Sequence, residues 1–141
     1  MVVNVSVVDP VIQVFRTLYD AKFPIDEMVP ENGSEGNDPA NWTADNTEGF
    51  SCRDAVSSGP PSWSMHAYGE AIDVNPVENP YVENGQVIPP NGSPYLDRSD
   101  IRPGMAVPGS VVNDAFSAIG WGWGGAWSGS PDYQHFSING E

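Results

Sequence analysis

The spacing between His66 and Asp73 is the feature that most constrains this fold. The chain has two histidines, His66 and His135, and each lies near an acidic residue, Asp73 or Asp132. Zinc takes imidazole nitrogen and carboxylate oxygen at about 2.0–2.2 Å, and catalytic zinc sites combine three protein ligands with a water position. If His66 and Asp73 share an ion, a helix joining them is excluded, because its rise would separate them by roughly 10 Å. The chain must double back, and Gly69 supplies a backbone that permits a turn.

Length and composition favour one small mixed domain. A chain of 141 residues can bury one ordinary core, whereas two independent cores would be hard to build. Hydrophobic residues make up 39% and aromatic residues 11%, with 15 glycines and 14 prolines. This balance suits a loop-rich α+β domain better than a helical bundle. We therefore predict a single domain over residues 1–141.

The charge is strongly acidic, with 19 acidic residues against five basic ones and a formal net charge of -14. No basic face exists to neutralise phosphates, so nucleic acid is not expected as a partner. The acidic surface would repel anionic membranes and wall polymers at low salt. The plainer interpretation is that it is only a solvated surface.

No apolar run approaches the ~20 residues of a membrane span, and no signal-peptide layout is visible. We expect a monomer.

Two segments carry apolar residues at helical spacing. The first covers residues 10–23 and follows Asp9, which can cap the helix with Pro10 at its first position. The second covers residues 111–119, with Gly120 as the C-terminal cap. Helices are predicted for both, on either side of strand-like pieces.

Short strands and loops are predicted between and after these helices. Strand character is found at residues 24–29, 46–53, 71–74 and 133–138. Segments dense in glycine, proline, asparagine or serine predict loops at residues 31–46, 57–64 and 78–98. The single cysteine, Cys52, excludes an intrachain disulfide and is predicted to be a small core residue.

Asp132 lies three positions before His135, which on a regular strand would place the two side chains on opposite faces. Pro131 indicates that Asp132 stands just before the strand, where its side chain is free to turn inward. A carboxylate there could accept a proton from a water molecule activated by zinc and later deliver it to a leaving amine. The reaction class indicated is metal-assisted hydrolysis.

Two motifs resemble those of a known family. Residues 64–73 read Ser-x-His-x-x-Gly-x-Ala-x-Asp, and residues 132–136 read Asp-x-x-His-Phe. Together they resemble the zinc D-alanyl-D-alanine carboxypeptidase family, which includes vancomycin-resistance carboxypeptidases and phage L-alanyl-D-glutamate endopeptidases. The resemblance extends over roughly residues 10–138. It implies a hedgehog/DD-peptidase-like α+β fold, in which helices flank a small antiparallel sheet.

The resemblance also implies residue roles. The zinc ligands would be His66, Asp73 and His135, and Asp132 would be the catalytic base. Arg53 matches a substrate-side arginine that could stabilise an oxyanion or bind a substrate carboxylate, although a surface salt bridge is the plainer alternative.

Three further residues, Trp63, Ser64 and Tyr68, are expected to join Arg53 in binding substrate. One departure from the family pattern is Ala126, where relatives often carry an aspartate. Its absence would remove an acceptor that orients a ligand.

The implied function is zinc-dependent hydrolysis of peptidoglycan stem peptides, first as a D-alanyl-D-alanine carboxypeptidase. The alternatives are an L-alanyl-D-glutamate endopeptidase of the endolysin type and a non-catalytic zinc module that binds wall peptides. A purely structural acidic domain would instead be insensitive to chelation. A wall substrate implies an extracellular or cell-wall location.

Overall fold

A computed structural model of the chain describes residues 1–30, 43–55 and 61–141. Most of the predicted loop at 31–46 and part of the one at 57–64 lie outside the described residues. Two helices, a three-stranded sheet and a hairpin make up the regular structure described. The predicted α+β class, with a small antiparallel sheet flanked by helices, is confirmed. None of the described helices is long and apolar enough to cross a bilayer.

Both predicted helices form, with shifted ends. Helix α1 spans Val8–Asp20 and continues directly from a 3-10 turn at Val5–Val7. Asn4 caps that turn, so the prediction that Asp9 caps the helix is wrong: Asp9 lies in the first turn of α1. The predicted extension to residue 23 is also wrong, because Lys22 adopts the left-handed conformation, with φ at 56°.

Helix α2 spans Val111–Ala118, and Gly120, with φ at 82°, caps its C-terminus as predicted. The amide of Gly120 donates to the carbonyl of Ser117, and the amide of Trp121 donates to that of Phe116. This pair of bonds is the Schellman arrangement, which satisfies the last carbonyls of the helix.

The main sheet joins β1 (Ala71–Asp73), β4 (Gly122–Trp123) and β5 (His135–Ser137) in the order β1-β5-β4, with all pairs antiparallel. Its register sets Asp73 opposite His135 and Ile72 opposite Phe136. The predicted strands at 71–74 and 133–138 are therefore confirmed, each slightly shorter than expected. The pairing brings two distant chemical motifs to neighbouring positions.

The segment predicted as a loop at 78–98 contains a hairpin. Strands β2 (Tyr81–Glu83) and β3 (Gln86–Ile88) pair across Asn84 and Gly85, which both have positive φ. An Asn-Gly pair is a favoured two-residue hairpin turn, so the prediction of a structureless loop is wrong. A 3-10 helix at Pro90–Tyr95 follows.

Two other predicted strands are reduced to isolated bridges. Residues 24–29 make a single bridge from Glu27 to Asn46, and the side chain of Asn46 then bonds both backbone groups of Val29. Residues 46–53 contact several segments in turn, with Glu48 bridging Asp73. Among the described residues neither segment has one continuous partner strand, so neither is described as a regular strand.

The core lies between the helices and the sheet. The rings of Phe116 on α2 and Phe136 on β5 stack with centroids 4.2 Å apart, and both side chains are fully buried. From α1, Val14 and Leu18 join the same cluster, as does Ile72 from β1. Aromatic stacking and apolar burial therefore fix the strands that carry Asp73 and His135.

Candidate metal centre

Arg53 and His66 enter the site from an irregular antiparallel ribbon, formed by residues 51–55 and 62–66. The amide of Ser51 donates to the carbonyl of His66 over 3.1 Å, and the amide of Ser64 donates to that of Arg53 over 3.1 Å. Ser51, Ser64 and His66 are buried, whereas the alternate residues Cys52 and Asp54 are exposed. Because side chains alternate across such a ribbon, one face carries the site. The prediction that Cys52 is a core residue is wrong, since it lies on the outer face.

The turn predicted at Gly69 is present. A 3-10 helix at Met65–Tyr68 carries His66, and the Ser64 hydroxyl caps it by accepting the amide of His66 over 3.2 Å. Gly69 follows with φ at 68°, and a side chain there would meet the backbone nitrogen of Asn4 at 2.6 Å. The chain then reverses into β1, which delivers Asp73. Gly69 is thus required for both its conformation and its lack of a side chain.

Three buried donor atoms converge where His66, Asp73 and His135 meet. His66 Nε2 lies 3.2 Å from Asp73 Oδ1, His135 Nδ1 lies 3.1 Å from Asp73 Oδ1, and the two nitrogens are 3.1 Å apart. Zinc bonds of about 2.0–2.2 Å at tetrahedral angles would separate ligand atoms by about 3.3–3.6 Å. The donor set suits a zinc ion, and its sides are slightly shorter than this spacing.

The outer nitrogens of both rings fix which nitrogens face the centre. His66 Nδ1 lies 2.6 Å from the Gly49 carbonyl, and His135 Nε2 lies 3.1 Å from the backbone oxygen of Glu141. These oxygens only accept, so a neutral ring can place its one hydrogen on the outer nitrogen and leave the inner lone pair facing the Asp73 carboxylate. In that form the three inner atoms are all electron-pair donors, which suits a bound cation.

These backbone contacts bear on Ala126. Relatives often carry an aspartate at this position, so the alanine implied the loss of an acceptor that orients a ligand. Ala126 is the exposed last residue of a 3-10 turn, Gly124–Ala126. Both imidazoles already have acceptors on their outer nitrogens, from Gly49 and Glu141. Ring orientation at this centre therefore rests on backbone oxygens.

Electrostatics in the centre favour an ionised Asp73. Burial alone would raise the pKa of Asp73, but the two imidazoles outweigh burial and hold it well below its usual range. Burial lowers the pKa of His66. Burial acts in the same sense on His135, but the hydrogen bond and charge interaction that its protonated form makes with Asp73 outweigh burial and raise its pKa. Asp73 thus serves as the anionic member of the set.

Asp132 lies beside the ligands and outside the donor triangle. Its backbone carbonyl accepts the amide of His135 over 3.3 Å, and its amide donates to Gly124 over 3.1 Å. Burial, followed by the negative charge of Asp73, raises the pKa of Asp132 to about 7. Its Oδ1 atom is buried with no hydrogen-bond partner in the part of the chain that the structure describes, while Gln134 hydrogen-bonds to the carboxylate. One carboxylate oxygen is therefore available to a ligand.

Arg53 reaches the opposite side of Asp73. Its Nη2 lies 3.8 Å from Asp73 Oδ2, and its side chain is 12% exposed. Its Nε is buried with no hydrogen-bond partner among the described residues. The ion pair of Arg53 is therefore buried and joins it to a proposed ligand rather than to a surface acid. Binding of substrate by Arg53 stays a prediction.

The predicted substrate-binding residues lie in different environments. Ser64 is buried and its hydroxyl caps the helix of His66, a role the sequence did not indicate. Tyr68 is 51% exposed and Trp63 is 57% exposed. Trp63 pairs with Asp54 on the outer face of the ribbon, away from Arg53. Binding of substrate by these three residues stays a prediction.

Three residues that the sequence did not single out also contact this centre. Gly124 approaches so closely that a side chain there would meet the Asp132 carbonyl oxygen at 2.8 Å. Gln134 bonds the Asp132 carboxylate, and Tyr81 on β2 bridges the Asp132 backbone. The only sequence signal was their nearness to the second motif or to the Asn-Gly turn.

Comparison with known proteins gives one match. Residues 58–138 match a family model described as D-alanyl-D-alanine carboxypeptidase. The matched range contains His66, Asp73, Asp132 and His135, whereas Arg53 precedes it. No curated protein and no solved structure matches the chain significantly.

Proposed function

Since the chain belongs to the D-alanyl-D-alanine carboxypeptidase family, we propose that it is a zinc-dependent peptidase acting on peptidoglycan stem peptides, with release of terminal D-alanine as the first candidate reaction. The observation that carries the proposal is the buried triangle of His66 Nε2, Asp73 Oδ1 and His135 Nδ1, with sides of 3.1–3.2 Å. Residues 1–141 would form one catalytic domain.

These three atoms would hold the metal. When bound, zinc supplies Lewis acidity toward the scissile carbonyl and lowers the pKa of a coordinated water. The protein fixes the ligands beforehand through the Gly49 and Glu141 oxygens and the β1–β5 register. Such orientation reduces the reorganisation needed when the metal binds.

Asp132 would carry the proton in this reaction. Its unpartnered Oδ1 provides an acceptor beside the ligands, and the bond from Gln134 restrains the carboxylate. A carboxylate so placed can take a proton from the attacking water and give it to the leaving amine, a contribution of typically 10²–10⁴-fold.

Arg53 would handle negative charge on the substrate. Its guanidinium is fixed beside Asp73 and retains an unpartnered Nε. The developing oxyanion and a substrate carboxylate are both ligands that suit its planar donors. In the described part of the chain, Arg53 is the one basic residue in contact with the donor set.

The same cation also suits a second candidate, the L-alanyl-D-glutamate endopeptidase. Arg98 is committed to four acceptors elsewhere, and Arg102 pairs with Asp100. A carboxypeptidase substrate has a free terminal carboxylate, and a D-glutamyl residue within a peptide also keeps one free carboxylate, so Arg53 suits either substrate. Both reactions would act on the cell wall, so an extracellular or wall-associated location belongs to the proposal.

The test is digestion of purified muropeptides by zinc-loaded protein, followed by mass analysis of the products. Release of D-alanine supports the carboxypeptidase, and a new N-terminal D-glutamate identifies the endopeptidase. Binding of muropeptides without cleavage would instead favour a non-catalytic wall-binding module. Absence of both stoichiometric zinc and cleavage would reject the proposal.

A further inference from the structure

The backbone turn after β5 folds back onto His135. The backbone oxygen of Glu141 lies 3.1 Å from His135 Nε2, the ring nitrogen that faces away from the donor triangle. His66, by comparison, bonds the Gly49 carbonyl at 2.6 Å, within the protein interior. Of the two imidazoles, His135 thus has the longer orienting contact.

Several contacts hold this turn in place. The amide of Gly140 donates to Ser137 over 3.3 Å, and that of Glu141 donates to Asn139 Oδ1 over 3.0 Å. Gly122 on β4 permits the backbone to pass, since a side chain there would meet Gly140 Cα at 2.5 Å. The position of the Glu141 oxygen is therefore built by the fold.

Trp127 connects the turn to the histidine. Its Nε1 donates to the Gly140 carbonyl over 2.8 Å, and its ring lies 5.4 Å from the His135 ring at an interplanar angle of 46°. The Trp127 side chain thus packs against the His135 ring and also fixes the Gly140 carbonyl, which directly precedes the residue whose oxygen bonds His135. Removing the Nε1 bond would free the turn while leaving the aromatic packing.

We propose that Trp127 and Asn139 are positioning residues for His135: they hold the Glu141 oxygen on Nε2 and so keep the Nδ1 lone pair directed at the metal position. This inference rests on the proposed zinc centre. A neutral imidazole carries one hydrogen, for which Asp73 Oδ1 at Nδ1 and the Glu141 oxygen at Nε2 compete, each at 3.1 Å. An acceptor held at Nε2 therefore favours the tautomer that leaves Nδ1 free. Loss of such an orienting partner typically weakens metal binding by 10- to 100-fold.

The experiment compares Trp127→Phe and Asn139→Ala with Asn91→Ala, an exposed asparagine whose side chain makes one hydrogen bond to the backbone, far from His135. Zinc affinity is measured by chelator competition, and the His135 tautomer by nitrogen-15 NMR of zinc-free protein at a pH where its ring is neutral. We expect about 10-fold weaker zinc binding in both positioning variants. We also expect their His135 signals to shift from the Nε2-H form toward a tautomer mixture, with Asn91→Ala unchanged.

Unchanged zinc affinity and an unchanged tautomer in both variants would overturn the inference, as would an Nδ1-H tautomer in the wild type. The tautomer measurement distinguishes failure of this inference from failure of the proposed function. If wild-type protein binds no zinc, the proposed function is rejected, and the NMR spectra still decide whether the turn selects the tautomer. Thermal unfolding of each variant identifies any that does not fold, and Asn139→Ala leaves the Trp127 packing intact.

Discussion

His66 Nε2 lies 3.1 Å from His135 Nδ1, although 69 positions separate the two residues. The contact joins the ribbon that carries Arg53 to strand β5, with Asp73 of β1 completing the triangle. Because both outer nitrogens face backbone oxygens, neutral rings can present the inner nitrogens as electron-pair donors. A bound cation would relieve the repulsion among the inner atoms and join three segments of the fold.

Metal removal should therefore lower stability. A metal that binds only the folded state adds about 4 kcal/mol to the free energy of unfolding when free zinc is 1,000 times its dissociation constant. We expect the thermal midpoint to fall on chelation and to recover with added zinc. Asp73→Asn is the matched control, because it keeps the side-chain shape while removing the charge, and its midpoint should respond little to zinc. Equal midpoints with and without chelator in the wild type would contradict a folding-coupled metal.

Asp132→Asn should separate proton transfer from metal binding. The amide keeps the size of the carboxylate but cannot accept and return a proton, so turnover should fall by about 10²–10⁴-fold. Zinc stoichiometry should stay at the wild-type value, since Asp132 lies outside the donor triangle. Steady-state kinetics and metal analysis check both, with the exposed Asp114→Asn on α2 as control. Full activity in Asp132→Asn would remove Asp132 from the mechanism.

Gly124→Ala should displace the segment that carries Asp132 and His135. The new methyl group would meet the Asp132 carbonyl oxygen at 2.8 Å and the His135 Cβ at 3.2 Å, so the segment must move. Misplacement of reacting groups by about 1 Å can cost 10²-fold in rate. We expect weaker zinc binding together with slower turnover, and the exposed Ser128→Ala should change neither. A fully active Gly124→Ala enzyme would show that this close approach is dispensable.

Asp45→Asn should stabilise the protein near neutral pH. Burial, followed by a hydrogen bond with Glu78, raises the pKa of Asp45 from 3.8 to about 8. The unfolded chain loses this proton above about pH 4 and the folded chain keeps it to about pH 8, so stability falls as pH rises through that window. Asparagine avoids the ionisation, can still accept the amide of Val77, and tolerates φ at 60°.

Urea unfolding across pH 4 to 8 measures this effect. The gain from Asp45→Asn should be near zero at pH 4 and reach about 1 kcal/mol or more at pH 8, whereas the exposed Asp54→Asn should show no such trend. A gain that is constant with pH would assign the effect to backbone conformation alone.

The sequence predicted the parts of the fold that depend on local pattern. Helical apolar spacing located α1 and α2, and the turn at Gly69 followed from the requirement that His66 and Asp73 meet. The hairpin of β2 and β3 was missed, because proline and asparagine in its flanks masked the Asn84-Gly85 turn signal. The prediction for Cys52 was wrong because its exposure depends on which face of the ribbon turns inward. The pairing with residues 62–66 decides that orientation.

The candidate ligands were likewise accessible to sequence reasoning, because histidine and aspartate are chemically distinctive. The groups that orient them were not. His66 and His135 bond the backbone oxygens of Gly49 and Glu141, and a backbone oxygen is present at every residue whatever its type. The close approach at Gly124 also has no sequence signal, since it depends on where the chain passes Asp132.

The most direct test of the zinc-peptidase account is mass analysis of muropeptides incubated with zinc-loaded protein, with chelated protein and with zinc-loaded Asp132→Asn. We predict one zinc per chain in the loaded wild type and cleavage of a stem-peptide bond by that sample, with little or none by the other two. Stoichiometric zinc without any cleavage, or equal cleavage by the chelated protein, would contradict it.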